Sequence, residues 1–155
     1  MTDRTAPAAH PIAAPLAARW SPRSYEERAV PDAALAQVLE AARWAASCVN
    51  DQPWNYIVAR KEKEAEGYAK IFSCLSANNQ GWAGRAPVLI IGVARQNFAH
   101  NGNPNRHAAY DLGQATANLA AEAATLGLQA HQMAGFDAAE ARAAFAIPEG
   151  FDPLI

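Results

Sequence analysis

The alternation of hydrophobic and polar residues predicts most of the secondary structure of this chain. The clearest pattern is helical: hydrophobic residues recur three and four positions apart after the start signal Pro31-Asp32, and the helix is predicted to end near Ser47. Its hydrophobic face consists of Leu35, Val38, Leu39, Ala42 and Ala45. Further helices are predicted over residues 12–18, 62–75 and 106–125, and from Asp137 onward.

Shorter segments are predicted to form strands and loops. Residues 54–59 and 128–133 are predicted strands, and residues 87–93 form a continuous hydrophobic run typical of a buried strand. Residues 76–84 are predicted to be a loop with a short turn, and residues 97–105 a loop because they are rich in Asn, Gly and Pro. Three strands interleaved with about five helices predict one α+β domain.

Several details refine this prediction. The helix 62–75 is expected to bury the face formed by Ala65, Tyr68, Ala69, Phe72 and Leu75. The helix 106–125 ends at Gly127, which suits a left-handed cap, and Asp137 with Glu140 forms a capping pattern. One face of the helix 106–125 is formed by small residues: Gly113, Ala117, Ala120, Ala121 and Ala124. Small side chains allow close backbone approach, so this helix is expected to be central or at a subunit interface. Leu154 and Ile155 resemble the start of another strand, so we expect the natural chain to continue.

Composition limits the classes of function. The chain has 155 residues, 51% hydrophobic and 18% charged, with a formal net charge of −2, so nothing global attracts nucleic acid or an anionic membrane. The longest apolar run, residues 86–94, is too short to span a bilayer, and prolines interrupt the alanine-rich start, which does not form a signal peptide. Cys48 and Cys74 form neither a disulfide framework nor a metal motif, and the expectation is two reduced thiols in a cytoplasmic protein.

Three local groups of residues could carry chemistry. The turn Arg19-Trp20-Ser21-Pro22-Arg23, which we call the basic turn, places two guanidiniums and a hydroxyl next to a helix end. Arginine binds phosphate through a planar fork of N–H donors, so this turn is a candidate anion site. The alternative is a solvated basic turn.

The second group, residues 47–52, joins a helix to a strand and is called the junction. It contains Ser47, Cys48, Asn50 and Gln52, which either bind a ligand or satisfy the local backbone. Cys48 is not expected to be a nucleophile, because no His or Asp is placed by the sequence to activate it.

The third group is Met133-Ala134-Gly135-Phe136-Asp137, where small residues leave backbone N–H groups open to a flat ligand; the alternative is a plain turn with a capping Asp. Walker, GxGxxG, GxSxG and HExxH motifs are absent. The four histidines, His10, His100, His107 and His131, lack metal-ligand spacing.

Taken together, these groups resemble the nitroreductase family of FMN-dependent oxidoreductases. The resemblance rests on the Arg-x-Ser-x-Arg turn, on Ser47-Cys48-Val49-Asn50-Asp51-Gln52-Pro53-Trp54, and on Asn79-Gln80-Gly81-Trp82, Tyr110-Asp111-Leu112-Gly113 and Gly135-Phe136-Asp137. It extends over nearly the whole chain from about Leu16. It implies a mixed central sheet wrapped by helices in an intertwined homodimer, with FMN between the chains and an extension beyond Ile155 that joins the partner's sheet.

The resemblance also implies a set of flavin contacts. Arg19 and Ser21 would meet the phosphate and ribityl end, and Arg23 would lie near the pyrimidine edge, where its charge favours reduction. Ser47, Cys48 and Asn50 would reach the flavin of the partner subunit, and Ala134 and Gly135 would place a backbone N–H near the central flavin nitrogen. The full implied set is Arg19, Trp20, Ser21, Arg23, Ser47, Cys48, Asn50, Gln52, Asn79, Ala134 and Gly135.

The implied reaction is a ping-pong transfer of hydride from NADH or NADPH to a small electrophile such as a nitroaromatic or a quinone. No catalytic side chain is required, because the flavin carries the chemistry. The alternatives are a flavin-binding or storage protein without activity, a flavin-fragmenting or dehalogenating relative, and a helical interaction domain without a cofactor. The flavin-fragmenting and dehalogenating relatives rely on lid insertions over the flavin. The short loop 97–105 is the only candidate lid in this sequence, which favours the generic reductase.

Overall fold

An antiparallel sheet of three strands lies at the centre of residues 4–155, the part of the chain that the structure, a computed structural model, describes. The strands are β1 (Trp54–Arg60), β2 (Val88–Arg95) and β3 (Phe151–Pro153), in the order β1-β2-β3. Trp54 pairs with Ala94 in the first ladder, and Val93 pairs with Pro153 in the second. The α+β class is confirmed. The sequence analysis expected a mixed sheet, and both strand pairings in the described residues are antiparallel.

In the described part of the chain, six α-helices lie around this sheet, and a short 3₁₀ turn, Cys48–Asn50, precedes β1. The helices are α1 (Ala14–Ala18), α2 (Asp32–Arg43), α3 (Ala65–Cys74), α4 (Ala77–Ala83), α5 (Ala108–Thr125) and α6 (Ala138–Ala144). Leu89, Ile91 and Val93 of β2 pack on the side of α3 and α6. Val88 and Ile90 pack on the side of α2 and α5. The run of hydrophobic residues in β2 is therefore explained by burial on both faces.

Helix ends follow the predicted capping chemistry in two places. Gly127 has φ +69°, and its N–H donates to the carbonyl of Ala124, as expected for a left-handed cap after α5. The carboxylate of Asp137 accepts hydrogen bonds from the N–H groups of Ala139 and Glu140, both at 2.9 Å. The reciprocal half of the capping box is not made, because the N–H of Asp137 donates to Cys74 instead.

Two predicted segments have a different structure. Residues 128–133 form no strand, because their backbone has no ladder partner, although Leu128 and Ala130 pack against the core. Residues 76–84 contain the helix α4, not only a loop. The side-chain amide of Gln80 donates to the carbonyl of Leu75 at 2.9 Å and to two more at the end of α3, so side-chain hydrogen bonds to the preceding helix hold α4 in place.

The faces of α3 and α5 also differ from the prediction. In α3, Tyr68, Ile71 and Cys74 are buried, while Ala65 and Ala69 are exposed, because the larger side chains face the sheet. In α5, the small residues differ in burial. Ala120 is buried, Ala121 and Ala124 are half-buried, and Gly113 and Ala117 are exposed. The helix is central, and the exposed small residues face away from the core of this chain. None of the helices in residues 4–155 is both long and hydrophobic enough to cross a membrane.

Candidate functional site

The basic turn directly follows α1, whose end is closed by a hydrogen bond from the N–H of Arg19 to Pro15. Arg23 and Ser21 are exposed, and Arg19 is half-buried, with its Nη1 atom 3.4 Å from Ser21 Oγ. Among the described residues, neither guanidinium of the turn forms an ion pair with a carboxylate. Two cations that no nearby acid neutralises are a good fit for an anion such as a phosphate monoester.

A side chain far along the sequence holds this turn. Gln129 accepts a hydrogen bond from the N–H of Trp20 at 3.1 Å and donates to the carbonyl of Ala18 at 3.1 Å. His131 Nδ1 lies 2.8 Å from the carbonyl oxygen of Pro22; because a carbonyl can only accept, Nδ1 carries the proton. The sequence analysis missed both residues. We call residues 127–135 the platform, since they support the basic turn.

An aromatic stack joins the platform to α4. The ring of Trp82 lies 4.5 Å from that of His131 and 6.4 Å from that of Tyr25, measured between centroids. Burial raises the pKa of Tyr25 to about 12, so its phenol is neutral at physiological pH and donates to the carbonyl of Pro22. The stack therefore supports the basic turn at Pro22, whose carbonyl contacts both Tyr25 and His131.

The platform ends at Gly135, which packs against α4. The carbonyl of Gly135 accepts from Asn79 Nδ2 and from the N–H of Ser76, both at 2.9 Å. A Cβ atom added at Gly135 would lie 2.7 Å from Asn79 Nδ2 and 2.9 Å from Ser76 Oγ, so a larger residue there would require these two side chains to move. Ala134 is exposed, and a shallow cleft of about 640 Å³ opens beside these residues. Asn79 thus holds Gly135 in place.

The junction has an unusual backbone. Val49, Asn50 and Gln52 have φ values of +48°, +57° and +51°, a region that non-glycine residues rarely adopt. Among the described residues, the only other non-glycine residue with a positive φ is Ala146. Such strain persists only where surrounding contacts over-determine it, and it is concentrated at functional sites.

Two buried carboxylates anchor the junction. Asp111, in the first turn of α5, is 2% exposed and accepts a hydrogen bond from the N–H of Cys48 at 3.0 Å. Asp51, whose side chain is 1% exposed, bonds to residues outside the junction. Within the junction, the N–H of Gln52 donates to Ser47 Oγ at 3.0 Å, and Gln52 Nε2 donates to Asn50 Oδ1 at 2.9 Å. The sequence analysis did not include either aspartate among the site residues.

The basic turn and the junction lie at opposite ends of α5. The platform begins after the C-terminal end of this helix, where Gln129 holds the basic turn, and it contacts Asn79 of α4 at Gly135. The junction, with Ser47, Cys48, Asn50 and Gln52, is attached through Asp111 to the first turn of α5. An α-helix rises about 1.5 Å per residue, so the 18 residues of α5 separate the groups by roughly 25 Å. Within one chain, the two groups do not converge.

A cavity lies beside the basic turn, and Trp20 and Pro22 contribute to its walls. It has a volume of about 870 Å³ and lies behind the platform, where Tyr25, Ile91 and Met133 contribute to its walls. Trp20 is the only one of the eleven predicted site residues that lines it. The chemically distinctive features, unpaired cations and a strained junction, lie instead on the surface.

Comparison with known proteins identifies the class to which this fold and these groups belong. The model of the Nitroreductase family matches residues 16–155, so the chain belongs to the nitroreductase family. A solved structure described as an oxidoreductase containing FMN superposes with a TM-score of 0.88 and 33% identity, over 95% of this chain and 75% of that one. A nitroreductase family protein from Clostridium difficile 630 has a TM-score of 0.72 and 26% identity, over 88% and 76%. The family resemblance seen in the sequence is confirmed.

Two relatives are similar in sequence. An uncharacterised 15.4 kDa protein of Mycolicibacterium smegmatis is 36% identical over 104 residues, which cover 64% of this chain and 69% of that protein. A protein of Stutzerimonas stutzeri (strain A1501), provisionally named as an NADH dehydrogenase/NAD(P)H nitroreductase, is 29% identical over 137 residues, which cover 77% and 68%. These similarities support a general oxidoreductase function.

Proposed function

We propose that the protein is an FMN-dependent oxidoreductase that passes hydride from NADH or NADPH to a nitroaromatic, a quinone or a related small electrophile, in a ping-pong cycle. The observation that supports this proposal most directly is the basic turn, whose two guanidiniums have no acidic partner among the described residues. The similar solved structure described as containing FMN supports the choice of cofactor, and the name of the Stutzerimonas stutzeri relative supports the choice of donor.

In this proposal, the basic turn binds the polar end of the cofactor. Arg19 and Ser21 lie close enough to share one phosphate oxygen or two neighbouring oxygens, and Trp20 is the adjacent aromatic surface. Arg23 lies at the far end of the turn, where its charge favours negative charge on the nearby ring. Ala134 and Gly135 offer backbone N–H groups beside α4. Bound FMN would supply the hydride-accepting ring, which none of the protein's side chains can replace.

We further propose that the site is completed by a second copy of the chain. The junction lies roughly 25 Å from the basic turn along α5, so Ser47, Cys48 and Asn50 act on the cofactor of the partner subunit. Trp44, Val49 and Tyr110 are 73%, 69% and 69% exposed. Hydrophobic side chains so exposed near the junction are expected to be covered in a dimer.

The test is an absorbance spectrum of the purified protein under argon, before and after addition of NADH or NADPH. Flavin absorbance that bleaches with the nucleotide and returns when a quinone or a nitroaromatic is added would support the proposal. Initial rates at several donor and acceptor concentrations should then give the parallel lines of a ping-pong cycle. A colourless protein that also fails to bind added FMN would reject it, whereas bound flavin that no nucleotide reduces would indicate a flavin-binding protein without this activity.

A further inference from the structure

Asp51 lies where three segments of the chain meet. Its Oδ1 accepts a hydrogen bond from the N–H of Ala99 at 2.8 Å, and its Oδ2 accepts from Arg95 Nη2 at 3.0 Å and from Asn105 Nδ2 at 3.3 Å. The junction is thereby joined to the end of β2 and to both halves of the loop 97–105. The side chain is 1% exposed, so water does not replace these contacts.

Arg95 strengthens this arrangement from β2. Its Nη2 atom also donates to the backbone carbonyl of Asp51 at 3.0 Å, and its backbone N–H donates to Pro53 at 2.8 Å. Arg95 therefore holds the backbone at both Asp51 and Pro53, where the chain passes from the strained turn into β1. Asn105 is 2% exposed, and its Oδ1 accepts from the N–H of His107 at 3.0 Å, which links the loop to the start of α5.

All three groups that face the Asp51 carboxylate are N–H donors. An ionised carboxylate only accepts hydrogen bonds, whereas an amide has one accepting oxygen and one donating NH₂ group. Burial alone would raise the pKa of Asp51, but the hydrogen bonds from Ala99, Arg95 and Asn105 outweigh it and hold the pKa below its usual value. The side chain is therefore ionised at neutral pH. An asparagine of almost the same shape would direct an N–H group at one of these donors.

Strain makes the junction dependent on such contacts. The residues on either side of Asp51, Asn50 and Gln52, are both left-handed, while Asp51 has φ −71°. A backbone that alternates in this way relaxes when its anchors are removed.

We propose that Asp51 is a positioning residue that locks the junction against the loop 97–105, so that Ser47, Cys48 and Asn50 are held ready for the cofactor. The inference rests on the proposed function for the identity of that cofactor. The Asp51 side chain is buried and occupied by its three N–H donors, so it acts through the junction and not by touching FMN.

The first measurement needs no cofactor. Amide hydrogen exchange is followed in flavin-free wild-type protein and in Asp51→Asn. We expect exchange to be at least about tenfold faster at Ala99 and across residues 47–52, with unchanged exchange in α2 and β2. Unchanged exchange at those sites would overturn the proposal, and so would faster exchange throughout the chain, which would indicate a general loss of stability.

The second measurement is FMN affinity, followed by quenching of flavin fluorescence. We expect about tenfold weaker binding for Asp51→Asn, which is the loss of about 1.4 kcal/mol. Asp32→Asn is the matched control, because Asp32 is likewise an aspartate in an ion pair, with Arg60 and Lys63, but its side chain is 64% exposed and lies outside the site. Its affinity should equal that of the wild type.

The two measurements separate this inference from the proposed function. Faster local exchange in Asp51→Asn with unchanged FMN affinity would show that the lock has no effect on the ligand and would overturn the positioning role. If the wild-type protein binds no FMN, the proposed function fails, and the exchange data alone decide whether Asp51 locks the junction to the loop.

Discussion

At the scale of single residues, the left-handed backbone of the junction is the feature that most needs a physical explanation. Val49 is β-branched, and such residues are the least tolerant of positive φ. Its side chain is 69% exposed, so packing within this chain does not compensate for the strain. The strain is instead held by polar contacts from Ser47, Asp51 and Asp111. We interpret this as a turn kept in an unfavourable conformation because the exposed side chains are required there.

Replacing Val49 with glycine should therefore stabilise the isolated protein. A left-handed residue costs about 1–2 kcal/mol, and glycine costs about 0.5–1 kcal/mol in unfolded-state entropy, so we expect a net gain of roughly 0.5–1 kcal/mol in urea denaturation. Ala146→Gly is the matched control, because Ala146 has the same φ of 48° outside the site. Both changes should stabilise, but only Val49→Gly should weaken FMN binding. A loss of stability in Val49→Gly would show that the junction is not strained.

Replacement of each of the two arginines of the basic turn with alanine should have a different effect. Arg19→Ala should remove a charge-assisted contact to phosphate worth roughly 1.5–3 kcal/mol, and excess FMN should restore turnover. Arg23→Ala should lower the flavin midpoint potential and slow hydride transfer even when FMN is saturating. Arg28→Ala is the control, since Arg28 is exposed, lies outside the basic turn and forms an ion pair with Glu26. The measurements are FMN affinity, potential and single-turnover rate. Full rescue of Arg23→Ala by FMN with an unchanged potential would show that Arg23 is only a second phosphate contact.

At the scale of secondary structure elements, hydrophobic periodicity was a good guide where packing and backbone pairing coincide. Helical spacing predicted α2, and the hydrophobic segments that became β1 and β2 were also predicted, β2 from a continuous run that is buried on both faces. Periodicity failed for residues 128–133, because alternation shows which side chains face the core but not whether a neighbouring strand pairs with the backbone. It also missed α4, since that helix is held by hydrogen bonds from the Gln80 side chain to carbonyls of the preceding helix, which hydrophobic periodicity does not report.

The contact between the platform and α4 can be tested through two glycines. Gly135→Ala should push Asn79 and Ser76 away and cost about 1–3 kcal/mol of stability, with weaker FMN binding. Gly81→Ala lies within α4, where a Cβ meets nothing within 4 Å, and should stabilise by about 0.5–1 kcal/mol with unchanged affinity. Thermal denaturation and FMN titration measure both effects. If Gly135→Ala folds and binds as the wild type does, the close approach of the platform to α4 is not required.

At the scale of the whole molecule, the sequence proposes a set of candidate site residues but not their arrangement. The sequence motifs identified the basic turn, the junction and Gly135. They could not show that α5 separates the first two, because the distance depends on how the helix packs. Nor could they identify the supporting residues Gln129 and Asp51, whose partners lie up to 111 residues away in the chain. Support of this kind is a tertiary property and has no local signature.

The separation of the two groups leads to the last prediction, that each flavin site combines residues of two chains. Mixed dimers are made from two variants with different affinity tags: Arg19→Ala with Arg23→Ala in one chain, and Ser47→Ala with Asn50→Ala in the other. In a symmetric dimer with shared sites, one of the two sites then contains only wild-type groups, and about half of the wild-type activity should return. If each site belonged to one chain, both sites would carry a defect, and activity would stay at the level of the parents.

The reciprocal mixed dimer, wild type with a chain carrying all four changes, gives the opposite pattern. Shared sites leave no intact site in it, whereas sites within one chain would leave one. Activity that returns in the first mixed dimer and is absent from the second is the result we expect, and the reverse would contradict a shared site.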